Sequence, residues 1–467
     1  MIIAALKGGA GKTILSLGLA AAWKHKGFHI APFKKGPDFI DAAWLTLAAG
    51  SPCYNLDAFM MTEEEILQSL TQHSTDADLS LIEGNRGLFD GLDSEGCCST
   101  SELAKLTRCP VVLIVDVTMV TRTVAALVLG CQNFDRDLKI AGVILNRVAG
   151  PRQEALIRAS IAYYCGLPVL GAVPKLKENP FPERHMGLVP HHERAHAEKA
   201  IDWTRNTVER HLDLDALWSL SRKLEALPEP RPAEDEGFPL PDPSAPPRIG
   251  YIKDPAFWFY YPENLTQFEK MGAVLVKIDS FRARELPPID ALYIGGGFPE
   301  TQAPALAENR AFRESLRQKI DAHLPVYAEC GGLLYLGKNL ISGEKIYPMV
   351  GALPLSFIME KKPQGHGYTV LEADRDNPYH PVGQVFRGHE FHYSRPVPDK
   401  ADGIRTVFKV VRGQGLDGRR DGLSEKNLLA TYTHIHAAGN TSWGKNFLRA
   451  ALRFRASMKT DIRNVPK

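Results

Sequence analysis

The chain has 467 residues, too many for one ordinary hydrophobic core, so we expect two or three domains. Hydrophobic residues make up 44% and charged residues 24%, and the formal net charge of +2 excludes a general nucleic-acid binder. Seven scattered cysteines lack metal-ligand spacing and indicate free thiols in a cytoplasmic protein. We see no signal peptide and no apolar run long enough to span a membrane, so neither a membrane nor a nucleic acid is an expected partner.

The first half of the chain alternates between short apolar runs and segments with helical spacing. This alternation predicts an α/β domain whose parallel sheet is covered by helices on both faces. The predicted strands are 2–6, 79–82, 110–115, 139–145 and a run near 168–172, and the predicted helices are 12–26, 119–132 and 151–164.

A glycine-rich segment, 6-LKGGAGKTI-14, follows the first strand and opens the first helix. Backbone N–H groups of such a loop face phosphate oxygens, the lysine reaches the β- and γ-phosphates, and the threonine hydroxyl ligates Mg²⁺. Leu6 replaces the first glycine of GxxxxGK[ST], so the match is to KGGxGK[ST], as in partitioning ATPases and the nitrogenase iron protein. A plain glycine-rich turn is the alternative, which the placement after a strand disfavours. The predicted ATP-binding residues here are Gly8, Gly9, Gly11, Lys12 and Thr13.

Polar residues at other strand ends extend this predicted phosphate site, because strand carboxyl ends form the binding crevice of such sheets. Glu83 ends the strand 79–82, and Asp38 follows the second strand. With Thr13 they form the predicted Mg²⁺ ligands. Asn146 could read the adenine edge. A helix cap or a solvated loop is the alternative for each of these residues. Asp116, which follows the strand 110–115, is a further candidate for the phosphate site, and for it the functional role and the cap or loop role are equally favoured.

The composition changes at 228–247, where eight of twenty residues are proline. Proline lacks an amide donor and disfavours helix before it, so this segment is a predicted extended linker. A second α/β alternation follows it, with predicted strands at 248–253, 273–278, 290–294 and 325–328. The expected domains are therefore 1–227 and 248–460.

A cysteine follows the last of these strands in 326-VYAECGGLLYL-336. A strand, a glycine turn and a helix are the setting of a nucleophile elbow, and a helix N-terminus lowers a thiol pKa. We therefore predict Cys330 as a nucleophile, with the N–H groups of Gly331 and of Gly297, in 294-IGGGFPE-300, as oxyanion donors. A buried structural cysteine is the alternative.

Two histidines in 431-TYTHIHAAG-439 supply a base for that nucleophile. If the segment is a strand, His434 and His436 project to one face. One could then contact Cys330 while the other orients it. A pair of core histidines is the alternative, but the combination with the cysteine elbow favours a catalytic site.

Taken together, these motifs resemble the cobyrinic acid a,c-diamide synthases over nearly the whole chain. The strings concerned are 11-GKT-13, 32-PFKKGPDFID-41, 83-EGNRGLFDG-91, 183-ERHMGLV-189, 254-DPAFWFYYPENL-265, 295-GGGFPE-300, 328-AECGGLLYL-336, 387-RGHEFHYS-394 and 431-TYTHIH-436.

That resemblance implies an ATP-dependent domain similar to dethiobiotin synthetase and a flavodoxin-like class I glutamine amidotransferase domain. Cys330 would be the nucleophile and His434 its base, and His436 would stand where other class I glutaminases carry a glutamate. The implied reaction, in cobalamin biosynthesis, amidates the a and c acetates of cobyrinic acid through an acyl phosphate. The implied partners are ATP, L-glutamine and a tetrapyrrole polycarboxylate. Candidate contacts to that polycarboxylate are Lys34, Lys35, Asp38, Arg86, Arg184 and His185, each of which could instead be an ordinary surface charge or cap.

The sequence departs from the family at Lys7, where threonine or serine is usual, and at Asn85–Arg86, where apolar residues are usual. Sirohaem or nickel-sirohydrochlorin therefore stays open as the substrate that is amidated. Whether the protein is a homodimer is a separate open question. Two other functional classes are possible. A partitioning-type ATPase would leave residues 248–440 unexplained. A binding protein with an inactive glutaminase domain is disfavoured because Cys330 and His434 are both present.

Overall fold

The computed structural model describes residues 1–176, 181, 183–184, 187–188, 194–222, 238, 240, 242, 244–398 and 405–463. It divides into two compact units, Met1–Pro232 and Ala233–Lys467. Most of the predicted linker 228–247 lies outside the described residues, as does His185. No helix in the described ranges is both long enough and apolar enough to cross a membrane.

The first unit alternates strands and helices along most of its length. Its strands are β1 (Ile2–Ala5), β2 (Ile30–Lys35), β3 (Tyr54–Leu56), β4 (Leu79–Glu83), β5 (Val111–Asp116), β6 (Ile140–Val148), β7 (Val169–Pro174), β8 (Glu183–Arg184) and β9 (Gly187–Leu188). Its helices are α1 (Lys12–His25), α2 (Phe39–Ala49), α3 (Glu63–Ser74), α4 (Thr100–Leu106), α5 (Thr123–Phe134), α6 (Pro151–Cys165), α7 (Arg194–His211) and α8 (Leu214–Ser221).

Seven of the strands described in the first unit form one sheet, in the order β3-β2-β4-β1-β5-β6-β7. All neighbouring pairs in it are parallel. The interior strands are buried along almost every residue, since helices cover both faces of such a sheet. The predicted parallel α/β domain is thus confirmed. The predicted helix 119–132 began too early, because α5 begins only at Thr123 after a turn that contains Met119 with φ 60°.

Helix α1 packs closely against α7 at Gly18. A Cβ atom on Gly18 would lie 2.6 Å from the carbonyl oxygen of Thr204 and 2.6 Å from Cγ1 of Val208. Because one of these neighbours is backbone, it cannot move aside cheaply, and a glycine is required for the approach of the helix that follows the phosphate loop.

The second unit begins as a parallel α/β fold and continues as antiparallel strands. Its strands are β10 (Arg248–Ile252), β11 (Phe257–Phe259), β12 (Val274–Ile278), β13 (Ala291–Ile294), β14 (Gly296–Gly297), β15 (Val326–Glu329), β16 (Asn339–Ser342), β17 (Lys345–Pro348), β18 (Leu355–Met359), β19 (Gly365–Ala373), β20 (Val385–His392), β21 (Ser394–Pro398), β22 (Thr406–Arg412), β23 (Arg420–Glu425) and β24 (Leu428–Thr431). Its helices are α9 (Pro262–Lys270), α10 (Ala303–Glu308), α11 (Arg310–Asp321), α12 (Gly331–Leu336) and α13 (Thr441–Arg463).

The main sheet of the second unit has the order β12-β10-β13-β15-β24-β23-β22-β19-β20 in the described part of the chain. Pairs from β12 to β24 are parallel and pairs from β24 to β20 are antiparallel. A smaller sheet has the order β17-β16-β18-β21. Strand β24 therefore lies where the two halves of the main sheet meet, and β15 lies beside it.

The segment that carries the two histidines is not a strand along its length. Strand β24 ends at Thr431, and beyond it His434 forms only an isolated antiparallel bridge with His389. The condition under which His434 and His436 would share one strand face is thus not met. Each of the two rings has its own set of contacts.

We predict that Gly18→Ala lowers the stability of the first unit by about 1–3 kcal/mol, because the new methyl group overpacks the contact between α1 and α7. The matched control is Gly130→Ala in α5, where an added Cβ meets nothing within 4 Å. Better helix propensity should make that variant more stable by about 0.5–1 kcal/mol. Calorimetry of the full-length chain measures both, and equal shifts in the two variants would contradict the packing argument.

Candidate functional site

The phosphate loop joins β1 to α1 through a left-handed glycine. Gly11 has φ 98° and caps the helix, so the loop turns sharply before Lys12. The Lys12 ammonium donates to the carbonyl oxygens of Arg86, at 2.6 Å, and Lys7, at 3.2 Å. Burial lowers the pKa of Lys12. The loop thus holds a partly desolvated cation against backbone carbonyls, where a phosphate oxygen would be a better partner.

A buried ion cluster lies at the ends of β2 and β4, beside the first turn of α1. Lys34 is 2% exposed, and its ammonium contacts Asp41, at 2.6 Å, and Glu83, at 2.8 Å. The Thr13 hydroxyl donates to Glu83 at 2.7 Å and to Asp41 at 3.3 Å. Burial disfavours the charge of Lys34, but Asp41 and Glu83 outweigh it and raise the pKa of Lys34. Burial raises the pKa of Glu83 to about 7 against the opposite effect of Lys34.

The oxygen atoms of this cluster fit a magnesium ion that is shared with a nucleotide. Mg²⁺ takes oxygen ligands, and in phosphate sites it uses one or two carboxylates together with phosphates and water. Thr13 and Glu83 supply two such oxygens that lie side by side. The described residues contain no group of three or more His, Cys, Asp or Glu that could hold a metal alone.

Asp38 has a different position from the one its motif suggested. Its carboxylate caps α2 by accepting from the N–H groups of Ile40, at 2.9 Å, and Asp41, at 3.0 Å. The carboxylate that faces Thr13 is Asp41, three residues further on, which the sequence analysis missed. Burial raises the pKa of Asp38 to about 6. The structure therefore gives Asp38 the helix-cap role, and its predicted metal role stays a prediction.

Asn146, Arg147 and Asp116 support the phosphate loop from β5 and β6. The Asn146 amide donates to the carbonyl oxygen of Ala10 at 2.8 Å. Arg147 donates to Gly9 at 3.1 Å and to Asp116 at 2.8 Å. Although burial opposes it, hydrogen bonds from Thr118 and the charge of Arg147 lower the pKa of Asp116 to about 2. These contacts give Asn146 a structural role in the loop, and reading of adenine by Asn146 stays a prediction.

Lys7, the residue that departs from the family loop, is an exposed side chain with a partner in its own chain. Its ammonium lies 3.4 Å from a carboxylate oxygen of Asp116, and the Lys7 side chain is 65% exposed. Because the lysine end of this pair is exposed to water, the pair contributes little free energy, about 0–1 kcal/mol.

The candidate substrate residues differ in their surroundings. Lys34 and Lys35 are buried, so a solvated surface charge is the wrong interpretation for these two. Burial lowers the pKa of Lys35, while the neighbouring Asp57 acts in the opposite direction. Arg86 is exposed, and its backbone rather than its side chain contacts Lys12. For Arg184 the structure describes only the backbone, in β8.

In the second unit, Cys330 lies on a strained turn between β15 and α12. Its φ is 44° and its ψ −99°, a conformation that non-glycine residues rarely adopt. Its N–H donates to the carbonyl oxygen of Thr431 at 2.8 Å, and its sulfur lies 3.6 Å from the carbonyl oxygen of Phe391. Strain of this kind at a strand-to-helix turn is the geometry of a nucleophile elbow.

Close glycine contacts hold the elbow against the β13–β14 loop. A Cβ atom on Gly331 would lie 3.0 Å from the backbone nitrogen of Gly297, and one on Gly332 would lie 2.5 Å from the carbonyl oxygen of Ile294. The two predicted oxyanion donors, Gly331 and Gly297, are therefore neighbours in space, beside Cys330. The roles of the two amides stay predictions.

The Cys330 thiol is not activated in this state, contrary to what its place before a helix suggested. Burial raises the pKa of Cys330, and the nearby charge of Glu300 acts in the same direction. Helix α12 has only six residues, and its N-terminal partial charge does not offset the desolvation. A thiolate here needs a proton acceptor at the moment of reaction.

His434 is buried, and its Nδ1 faces the carboxylate of Glu329 at 3.3 Å. A Cβ atom on Gly296 would lie 2.3 Å from Cε1 of this ring and 3.2 Å from its Nε2. The ring therefore packs against the β13–β14 loop with its Cε1–Nε2 edge, while Nδ1 faces the acid. Glu329 is a site residue that the sequence analysis missed, although a glutamate in the apolar strand VYAE was an available signal.

His436 is engaged elsewhere. The N–H of Ala438 donates to its Nδ1 at 3.2 Å, and its Nε2 lies 3.5 Å from a carboxylate oxygen of Glu263. Its ring also packs on Tyr261, with centroids 4.7 Å apart. The structure thus brings Cys330 and His434 to the same loop and pairs His436 with α9.

Comparison with protein families divides the chain in the same way as its two units. Residues 1–189 match the CobQ/CobB/MinD/ParA nucleotide binding domain, and residues 248–442 match the CobB/CobQ-like glutamine amidotransferase domain. The chain is 43% identical over 459 residues to the cobyrinate a,c-diamide synthase of Magnetococcus marinus, with 98% of both chains covered. It is 39% identical to the enzyme of the same name from Archaeoglobus fulgidus, with 97% of both covered.

We predict that iodoacetamide alkylates Cys330 more slowly than Cys97 in the resting protein at pH 8. Cys330 is buried with a raised pKa, so little thiolate is present, whereas Cys97 is exposed. Peptide mass spectrometry after timed quenching gives both rates, with urea-unfolded protein as the control in which the two rates converge. Faster labelling of Cys330 than of Cys97 would show that the helix N-terminus dominates after all.

Proposed function

The chain belongs to the cobyrinate a,c-diamide synthase family, and on that premise we propose that it converts cobyrinate to the a,c-diamide with ATP and glutamine. The observation that carries the proposal is the presence in one chain of two separate sites. One is a phosphate loop with a buried Lys34–Glu83 cluster, and the other is a cysteine elbow with a histidine and paired glycine amides.

The two sites answer a chemical difficulty. A carboxylate does not react with ammonia unaided, because its oxygen is a poor leaving group and ammonia is mostly protonated at neutral pH. Converting the carboxylate into an acyl phosphate, a mixed anhydride, gives its carbonyl carbon a good leaving group. Releasing ammonia from glutamine supplies the unprotonated nucleophile. Each unit of the chain then performs one half of the reaction.

In the first unit, a substrate acetate attacks the γ-phosphorus of ATP and forms an acyl phosphate with release of ADP. Lys12 leaves its backbone acceptors and follows the phosphoryl group, while Thr13 and Glu83 would hold Mg²⁺. A metal held by these residues would supply positive charge that offsets the negative charge of the nucleotide phosphates. The buried ammonium of Lys34 keeps Glu83 and Asp41 in place beside it. Lys35 and Arg86 are candidates for the other carboxylates of the substrate.

In the second unit, the Cys330 sulfur attacks the amide carbon of glutamine while His434 accepts the thiol proton. The amides of Gly331 and Gly297 stabilise the oxyanion. His434 then returns the proton to the leaving nitrogen, the C–N bond breaks, and ammonia departs from a thioester. Water hydrolyses the thioester to glutamate. Ammonia finally attacks the acyl phosphate, phosphate leaves, and a second cycle amidates the other acetate.

The second unit disfavours a partitioning-type ATPase, whereas the alternative tetrapyrrole substrates stay open. A partitioning-type ATPase gives no account of residues 248–442, which match an amidotransferase domain. Sirohaem and nickel-sirohydrochlorin are best treated as competing substrates in the same assay. A homodimer stays a prediction.

We predict that Cys330→Ser abolishes glutamine-dependent amidation of cobyrinate and keeps amidation with ammonium salts. Cys330 serves only ammonia release, whereas carboxylate activation occurs in the other unit. Mass spectrometry counts the products, since each amide lowers the mass by about one unit. Sirohaem and nickel-sirohydrochlorin are assayed in parallel, and faster amidation of either by the wild type would replace cobyrinate as substrate. Equal loss with both nitrogen donors would contradict the two-site mechanism.

We predict that Lys12→Ala lowers amidation from both nitrogen donors by about 10²–10³-fold, because the transferring phosphoryl group loses its buried cation. Lys7→Ala is the matched control in the same loop. Its side chain is 65% exposed, and we expect the variant to keep most of its activity. Initial rates with ammonium chloride measure both variants, and full activity of Lys12→Ala would mean that this loop does not activate the carboxylate.

A further inference from the structure

We propose that Glu329, the residue immediately before the nucleophile, is the positioning residue that orients His434 for glutamine hydrolysis. The inference rests on the proposed function of the second unit. It assigns to Glu329 the role that the family resemblance gave to His436. In this arrangement the acid and the nucleophile come from one strand end, and the histidine comes from a different segment.

The contacts of Glu329 fix its carboxylate between three donors. His434 Nδ1 lies 3.3 Å from Oε2, and the Tyr293 hydroxyl donates to the same oxygen at 3.1 Å. The backbone N–H of Ile435 donates to Oε1 at 3.4 Å. The side chains of Glu329 and His434 are each 1% exposed. A carboxylate held in this way, away from water, can accept a hydrogen bond from the His434 ring but cannot rotate away from it.

This geometry selects one tautomer of the histidine. Because a carboxylate accepts hydrogen bonds, the proton of neutral His434 lies on Nδ1, and Nε2 keeps a lone pair. The Cε1–Nε2 edge of the ring packs against Gly296, next to Gly297 of the predicted oxyanion pair. Two backbone hydrogen bonds with His389, of 2.8 and 3.0 Å, hold the main chain of His434. Nε2, with its lone pair, thus lies beside the loop that the Cys330 turn also contacts.

Glu329 also fits the charge that develops in the reaction. When His434 accepts the thiol proton it becomes an imidazolium in a buried place, where an isolated charge is costly. The carboxylate already at Nδ1 stabilises that cation without any rearrangement, as an orienting acid does in hydrolases of the triad type.

His436 does not serve the same purpose, because one of its ring nitrogens accepts a backbone hydrogen bond and the other faces a carboxylate of α9. Its Nδ1 accepts from the Ala438 N–H, so its Nε2 carries the proton and faces Glu263. The pair of His436 and Glu263 instead joins the segment after β24 to the first turn of α9.

The test is Glu329→Gln, which keeps the shape of the side chain and removes its charge. We expect kcat for glutamine hydrolysis to fall by about 10³-fold, because the amide no longer enforces the productive tautomer. The KM for glutamine should stay within about threefold, since the Glu329 side chain is only 1% exposed, and an unchanged KM shows that the second unit keeps its fold. Amidation with ammonium chloride should be unchanged, because it depends on the first unit. Tyr293→Phe is the matched control, because it removes another donor to the same oxygen and leaves the charge.

A spectroscopic readout tests the tautomer without any turnover. In ¹⁵N-histidine-labelled protein, with the His434 signals assigned by their loss in His434→Asn, we expect protonated Nδ1 in the wild type and a mixture of tautomers in Glu329→Gln. If the wild-type protein hydrolyses no glutamine, the proposed function is wrong. The spectrum would still show in that case whether the proton of His434 lies on Nδ1. The inference itself fails if Glu329→Gln keeps its kcat, or if His436→Asn loses hydrolysis while Glu329→Gln retains it.

Discussion

A carboxylate buried at the last residue of an interior parallel strand is the constraint on which both units depend. Glu83 ends β4 and Glu329 ends β15, and each is nearly inaccessible to water. Moving a carboxylate out of water costs several kcal/mol unless nearby donors or cations compensate. Lys34 and Thr13 compensate Glu83, and the Tyr293 hydroxyl, the Ile435 N–H and the His434 ring surround Glu329. The cost of burial thus fixes which side chains gather at each strand end.

The strand ends also explain why the chemistry lies where it does. In both units a sharp turn follows a buried strand, at the glycine loop in one and at Cys330 in the other, and a helix begins directly after it, at Lys12 and at Gly331. Such turns leave backbone N–H groups pointing away from the sheet, where they can receive negative charge. In the first unit that charge would be a phosphate. In the second unit that charge would be on the carbonyl oxygen of the glutamine amide, after the thiol sulfur has attacked its carbon.

Local patterns carried most of what the sequence predicted. The phosphate loop and the cysteine elbow were visible because each occupies fewer than a dozen consecutive residues. Asp41 and Glu329 were missed because their roles depend on residues far away in the chain, Thr13 and His434, that only strand pairing brings near. The antiparallel strands after 339 were not predicted, since they mix polar with apolar residues, as in β19 and β20. The direction of the pKa shift of Cys330 was wrong because burial, which a motif does not show, outweighs a short helix.

The position of β24 has a consequence for how the chain folds. This strand, Leu428–Thr431, pairs with β15 about a hundred residues earlier and joins the parallel half of the sheet to the antiparallel half. During synthesis the first unit can fold while the second is still being made. The edge of β15 that pairs with β24 stays unpaired until residues 428–431, close to the end of the chain, have been synthesised. A chain that stops before residue 428 would expose that edge and invite aggregation. The pairing that completes the sheet also delivers His434, so the nucleophile gains its base only as folding ends.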